Sequence, residues 1–221
     1  MNESRPRSLD FAAWLAMWVQ PRRTVRRVLD EDPKRDVLVL AALAGVASAL
    51  DAAGALTLGD RFANTDIVIV AIVCGALGGL VGLYVWGWLV ALTGRWLGGA
   101  AGPREARTAV AWGNAPAVWT LPVYALASWL FGHELFESSQ PRIEALPGLG
   151  AAYLGVAATL TVMGVWGFVV LVRSVAEAQR FGAWKGLASV LLAALPFLAA
   201  AIALAIAVAS LSEGGMTLRF L

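Results

Sequence analysis

Val85-Trp86-Gly87-Trp88 is followed by Pro116, thirty residues after Trp86; Val165-Trp166-Gly167-Phe168 is followed by Pro196, thirty residues after Trp166. Each copy sits in a long apolar stretch, crosses a basic link that contains glycine, and enters a second apolar stretch broken by its proline. Two such copies, offset by 80 residues, predict a duplicated membrane hairpin. Composition agrees: 59% hydrophobic residues, 14% charged residues and a mean hydropathy of +0.72 are too apolar for a soluble domain of 221 residues.

Working outward, five apolar stretches predict an all-α polytopic protein with spans at Val37 to Leu58, Asp66 to Thr93, Ala115 to Gly132, Leu149 to Val172 and Leu187 to Leu211. A helix rises about 1.5 Å per residue against a hydrocarbon core about 30 Å thick. The second stretch exceeds that thickness, so it tilts or projects beyond the bilayer. Within it Gly75, Gly78, Gly79 and Gly82 form two small-xxx-small pairs. Such pairs let a second helix approach closely where lipid supplies no hydrophobic drive, which predicts a packing seam. Pro103 is placed to start a helix carrying Arg104, Glu105 and Arg107. Pro116 and Pro122 free backbone carbonyls in a short third span, which predicts a kinked, buried segment with Asn114 placed to bond those groups.

Residues 1–36 form a basic arm ahead of a five-helix domain at 37–221, with eight Lys/Arg and no long hydrophobic core, so they do not read as a cleavable secretory signal. Phe11, Trp14, Leu15 and Trp18 share one helical face, widened by Val19, and indole rings favour the headgroup layer. Pro21 ends or kinks that helix, and Arg22, Arg23, Arg26 and Arg27 then face anionic lipid. The arm reads first as a topology anchor and second as a partner-recruiting segment. The bilayer and its anionic lipids are the expected partners, with other membrane proteins or self-association beside them. The basic residues carry no nucleic-acid pattern.

Lys and Arg are uneven. The arm, the second link and the fourth link carry 8, 3 and 3 of them, whereas the first link, the third link and the tail carry 1 each. The positive-inside rule places the N-terminus in the cytoplasm and the C-terminus outside, and five spans satisfy that alternation. The two hairpins therefore run parallel rather than inverted. Arg and Ala enrichment suggests a GC-rich bacterial genome, hence an inner (cytoplasmic) membrane.

Few residues carry chemistry. Asp51 lies in the first span, where a carboxylate costs about 2.5–3.5 kcal/mol on insertion scales, so it marks either a functional site or a packing pin bonded to a Tyr, Trp or backbone group. His133, Glu134 and Glu137 share one loop and read as solvated residues rather than a metal site, since a closed site needs four ligands and a second shell. Cys74 is the only cysteine, which excludes an intrachain disulfide. No nucleophile with a base at membrane depth is apparent, so an enzyme ranks last, and no catalytic residue, cofactor or metal is expected. A membrane-organising or assembly scaffold ranks first. The alternative is a channel or carrier for protons, ions or a small solute, using Asp51 in a cavity between proline-broken helices, with Asn114, Pro116 and Pro196 as further candidates.

The Trp-containing amphipathic start, Pro-Arg-Arg-Thr (Pro21 to Thr24), the acidic Asp30-Glu31-Asp32-Pro33 stretch, the five spans and Ala-Trp-Gly-Asn-Ala-Pro (Ala111 to Pro116) together resemble a bacterial member of the Yip family of Ypt/Rab-interacting proteins. The resemblance implies five helices with a cytoplasmic N-terminus, and a trafficking-like role through prenylated Rab GTPases in eukaryotic members. Their Asp-Leu-Tyr-Gly-Pro motif before the first span is absent here, so GTPase binding is not carried over, and the resemblance supplies no site residue.

Overall fold

The computed structural model describes residues 11–217, with the side chains of Leu204 and of residues 207–217 outside the description. Among the described residues there is no strand. Two arm helices, α1 (Phe11–Val19) and α2 (Pro21–Glu31), meet at Pro21, which takes the first position of α2, where its missing N–H is not needed. The first span, α3 (Val37–Ala55), is followed by α4 (Asn64–Trp96), which contains one π-helical turn at Ala71–Gly75.

The third span is longer than expected. It runs over Pro103–Phe136 in stacked pieces: α5 (Pro103–Gly113), α6 (Ala115–Val118), α7 (Thr120–Phe131) and a 3-10 turn at Gly132–Phe136. The helix expected at Pro103 is present as α5, but hydropathy left it outside the span because its first turns are polar, yet Thr108 to Gly113 is buried without interruption. Pro103 begins α5, Pro116 is the second residue of α6 and Pro122 lies in the first turn of α7, so each proline falls where a helix lacks an N–H partner anyway. The chain closes with α8 (Pro141–Ala145), α9 (Pro147–Ala178) and α10 (Ala183–Thr217).

Five helices are long and apolar enough to cross a membrane. Four of them close a ring: α4 packs on α5, α5 on α9, α9 on α10 and α10 back on α4, while α3 lies against α4 and the α5–α6 junction. The two motif copies meet across this ring. A Cβ built on Gly167 would lie 3.7 Å from Cβ of Pro116, and Trp86 stacks on Phe197, the neighbour of Pro196, at 5.3 Å between ring centroids. The Trp-Gly of each copy thus sits beside the proline region of the other, the relation expected of a parallel duplication.

The four expected seam glycines divide into two pairs. Gly75 and Gly79 touch α3 backbone to backbone at Gly45: a Cβ on Gly79 would come within 2.2 Å of the Ala41 carbonyl oxygen, and one on Gly45 within 2.1 Å of that of Gly75. Gly78 and Gly82 meet nothing within 4 Å. The seam is real but half as wide, and its unrecognised half is the Ala41, Gly45, Ala49 spacing on α3.

Packing is densest at the end of the bundle that holds the arm. There Trp14, Met17, Val25, Leu40, Val90, Trp112, Val170 and Val175 form one core, each no more than 2% exposed. Polar side chains staple it. Thr93 and Ser189 share a hydroxyl contact of 2.9 Å between α4 and α10. Buried Gln179 donates to the Val90 carbonyl (3.2 Å) and accepts from the Ala101 amide (3.1 Å), fixing the 97–102 link to the end of α9. A smaller core at the far end holds Leu50, Tyr124, Phe131 and Phe136.

Candidate functional site

Two regions collect the residues singled out by sequence: the docked arm and a cleft at Asp51. In the arm, Trp14 is not in the headgroup layer but 2% exposed, inside the common core, because its indole N–H finds a carboxylate partner there, Asp36 Oδ2 at 3.1 Å. Trp18 is half-buried, and its carbonyl accepts the indole N–H of Trp166 at 3.1 Å. The outward face of α1 carries Phe11, Leu15 and Val19, all exposed, so this helix is apolar on both sides. Arg26 departs from the expected lipid-facing row: its guanidinium pairs with the Glu177 carboxylate at 2.8 Å and donates to the Glu177 carbonyl at 3.0 Å. Arg22, Arg23 and Arg27 are exposed.

The turn between arm and first span is pinned by groups from α5. Thr108 donates to the Pro33 carbonyl at 2.6 Å and Trp112 to the Arg35 carbonyl at 3.0 Å. Asp36 there adopts a positive φ of 52°, a conformation that aspartate tolerates better than most residues. The acidic stretch ending at Pro33 and the Ala-Trp-Gly-Asn-Ala-Pro stretch, distant in sequence, therefore meet at one junction.

The second region lies between α3, α6–α7 and α9. Tyr124 donates its hydroxyl proton to Asp51 Oδ1 at 2.6 Å. Asp51 is otherwise exposed to a cavity of about 280 Å³ that Ser48, Asn114, Thr120, Met163 and Gly164 also line. Asn114 donates to the Val110 carbonyl one turn back, at 3.0 Å, so it caps α5. Pro116 is buried beside this cavity, against Gly167. Pro196 stands apart, exposed on α10, and does not line the cavity. The proline-broken helix beside Asp51 is thus the third span alone.

A larger groove of about 960 Å³ follows α4 from Phe62 and Asp66 to Trp86, passing Gly78 and Gly82. Its lining stops at Trp86, Val110 and Leu171. Beyond them, toward the arm, the same helices carry the fully buried Val90, Ala109 and Val175.

At the far end, Glu134 is buried rather than solvated, because its carboxylate accepts the amides of Arg142 (3.1 Å) and Ile143 (3.0 Å) in the first turn of α8. Among the described residues no group of three His, Cys, Asp or Glu is placed to hold a metal. Asp60 accepts the Ser138 amide at 2.8 Å, and this bond holds its carboxyl below the usual range.

Fold and composition define an integral, multi-pass, all-helical membrane protein with a docked amphipathic arm. The family model for the Yip1 domain matches residues 15–207, and the chain belongs to that family. The match begins within α1, so residues 15–36 of the arm fall inside it. No curated protein and no solved structure matches the chain.

Proposed function

We propose that the protein is a non-enzymatic scaffold of a bacterial inner membrane, with an organising, assembly or trafficking-like role exercised from the arm face. The observation that carries this reading is the arm itself. It is built into the core through Trp14, Met17 and the Arg26–Glu177 pair, yet leaves Arg22, Arg23 and Arg27 exposed beside the apolar face of Phe11, Leu15 and Val19. That combination suits a rigid platform lying at an anionic membrane surface. The fold supports a cytoplasmic placement of this face: Arg95, Arg104, Arg107, Arg173, Arg180 and Lys185 lie on helix ends and links at the arm end, whereas Arg61 and Arg142 lie at the other. Site-specific photocrosslinking from positions 23 and 27 in native membranes tests it. Capture of a discrete membrane-protein partner, lost when Trp14→Ala undocks the arm, is expected; lipid adducts alone at both positions would sink the scaffold reading.

Transport is the second reading, favoured by the open Asp51 carboxylate in its cavity. Against it stands the fully packed core that follows the end of the cleft. Proton and cation flux in liposomes, lost in Asp51→Asn, would replace the first reading by the second.

A further inference from the structure

The cavity beside Asp51 and the groove along α4 share Ser48, Asn114 and Leu171 in their walls, so the two adjoin across these residues. The wide part is walled by Gly78, Gly82, Val70, Leu83 and the Trp86–Phe197 pair; the narrow part, with Ser48, Asp51, Asn114, Thr120 and Tyr124 in its walls, is the more polar of the two. Two features fix the chemistry of an occupant. Charge comes first: the charged residues lining the two parts are Asp51 and Asp66, with no Lys, Arg or His. Hydrogen-bonding capacity comes second. Oδ1 of Asp51 is engaged by Tyr124, but among the described residues Oδ2 has no partner, and Asn114 uses its amide N–H on Val110, leaving its oxygen as an acceptor. The narrow end therefore offers acceptors and negative charge, and calls for a donor that is positive.

We propose that the cavity and the groove together bind an amphiphile from the bilayer with a primary ammonium head and a hydrocarbon tail. The head sits at Asp51 and Asn114, and the tail runs along Gly78 and Gly82 to the Trp86–Phe197 pair. A phosphate-bearing headgroup does not suit the narrow end, since it brings negative charge to a carboxylate with no cation in the wall. The groove, at about 960 Å³, falls in the range of small-molecule sites, about 300–1,000 Å³, and the open positions of Gly78 and Gly82 keep the tail channel unobstructed. This site is independent of the role of the arm.

The test uses the full chain in nanodiscs of neutral lipid with three photoreactive probes sharing a hexadecyl tail: an amine, an alcohol and a sulfate. The amine is expected to label peptides of α3, α4 and α9, to be displaced by plain hexadecylamine, and to label roughly tenfold less in Asp51→Asn. The alcohol should not distinguish the variant from the parent. Gly82→Leu, at a position where a Cβ meets nothing within 4 Å, should cut labelling by filling the channel. Equal amine labelling of Asp51→Asn and parent, or sulfate labelling as strong as amine labelling, would overturn the proposal. Should Asp51→Asn fail to fold, unchanged amine labelling of Gly82→Leu overturns it equally.

Discussion

Arg26 on α2 reaches across 151 residues of sequence to Glu177 on α9, giving that residue a salt bridge of 2.8 Å through its carboxylate and a hydrogen bond of 3.0 Å to its carbonyl oxygen. The geometry uses the fork of the guanidinium, which an ammonium cannot reproduce. Both side chains are partly exposed, 33% and 24%, so solvent screening lowers the value of the pair to about 1 kcal/mol. A double-mutant cycle of Arg26→Gln and Glu177→Gln, read by detergent-denaturant unfolding, should return a coupling of that size. Arg26→Lys should recover less than half of it.

Gly79 and Gly82 lie one turn apart on the same helix and should behave oppositely. Leucine at Gly79 must push α3 and α4 apart, since even a Cβ there overlaps the Ala41 carbonyl, and overpacking of this kind costs about 1–3 kcal/mol or more. Leucine at Gly82 enters open space and should leave the unfolding midpoint unchanged. Thermal unfolding of the two variants side by side decides this; equal losses would contradict the division of the glycines.

Trp14→Ala should destabilise the protein by about 3–5 kcal/mol, the usual cost of removing a large buried aromatic. It also removes the donor to Asp36. Trp184, 83% exposed at the start of α10, provides the contrast, with an expected change within about 0.5 kcal/mol. Protease sensitivity of the arm should rise only in the Trp14 variant.

The Asp60–Ser138 bond gives a pH signature outside the membrane. The folded carboxyl is held below its ordinary value of 3.8, first by the Ser138 backbone amide. A depressed carboxylate contributes stability that is fully present above the unfolded value and is lost as pH falls through the folded one. Hydrogen-exchange protection of the Ser138 amide should therefore be level at neutral pH and drop only below about 3.8. In Asp60→Asn the drop should vanish.

The five spans were legible because apolar length alone marks them, and Pro21 and Pro103 were legible because proline reports helix starts. What single-chain periodicity does not carry is the identity of the neighbour. Trp14 and Phe11 occupy the same sequence face, but only Trp14 finds Asp36, and nothing local separates the two. The same holds for Gly75 and Gly78, which differ only in which of them meets Gly45. Asp51 could be recognised as costly, and Tyr124 named by type as a suitable partner, but not that the carboxylate keeps one oxygen open to a cavity. Glu134 looked solvated because its partners are backbone amides, which leave no mark in the sequence.

The π turn at Ala71–Gly75 distinguishes the two halves of the sequence repeat. Such a turn accommodates one extra residue in an otherwise α-helical segment, and α9, the counterpart of α4, has none. The Trp-Gly and proline positions of the two copies keep one constant offset of 80 residues. A sequence repeat that is regular at its Trp-Gly and proline positions is therefore irregular along the helix that lines the larger groove.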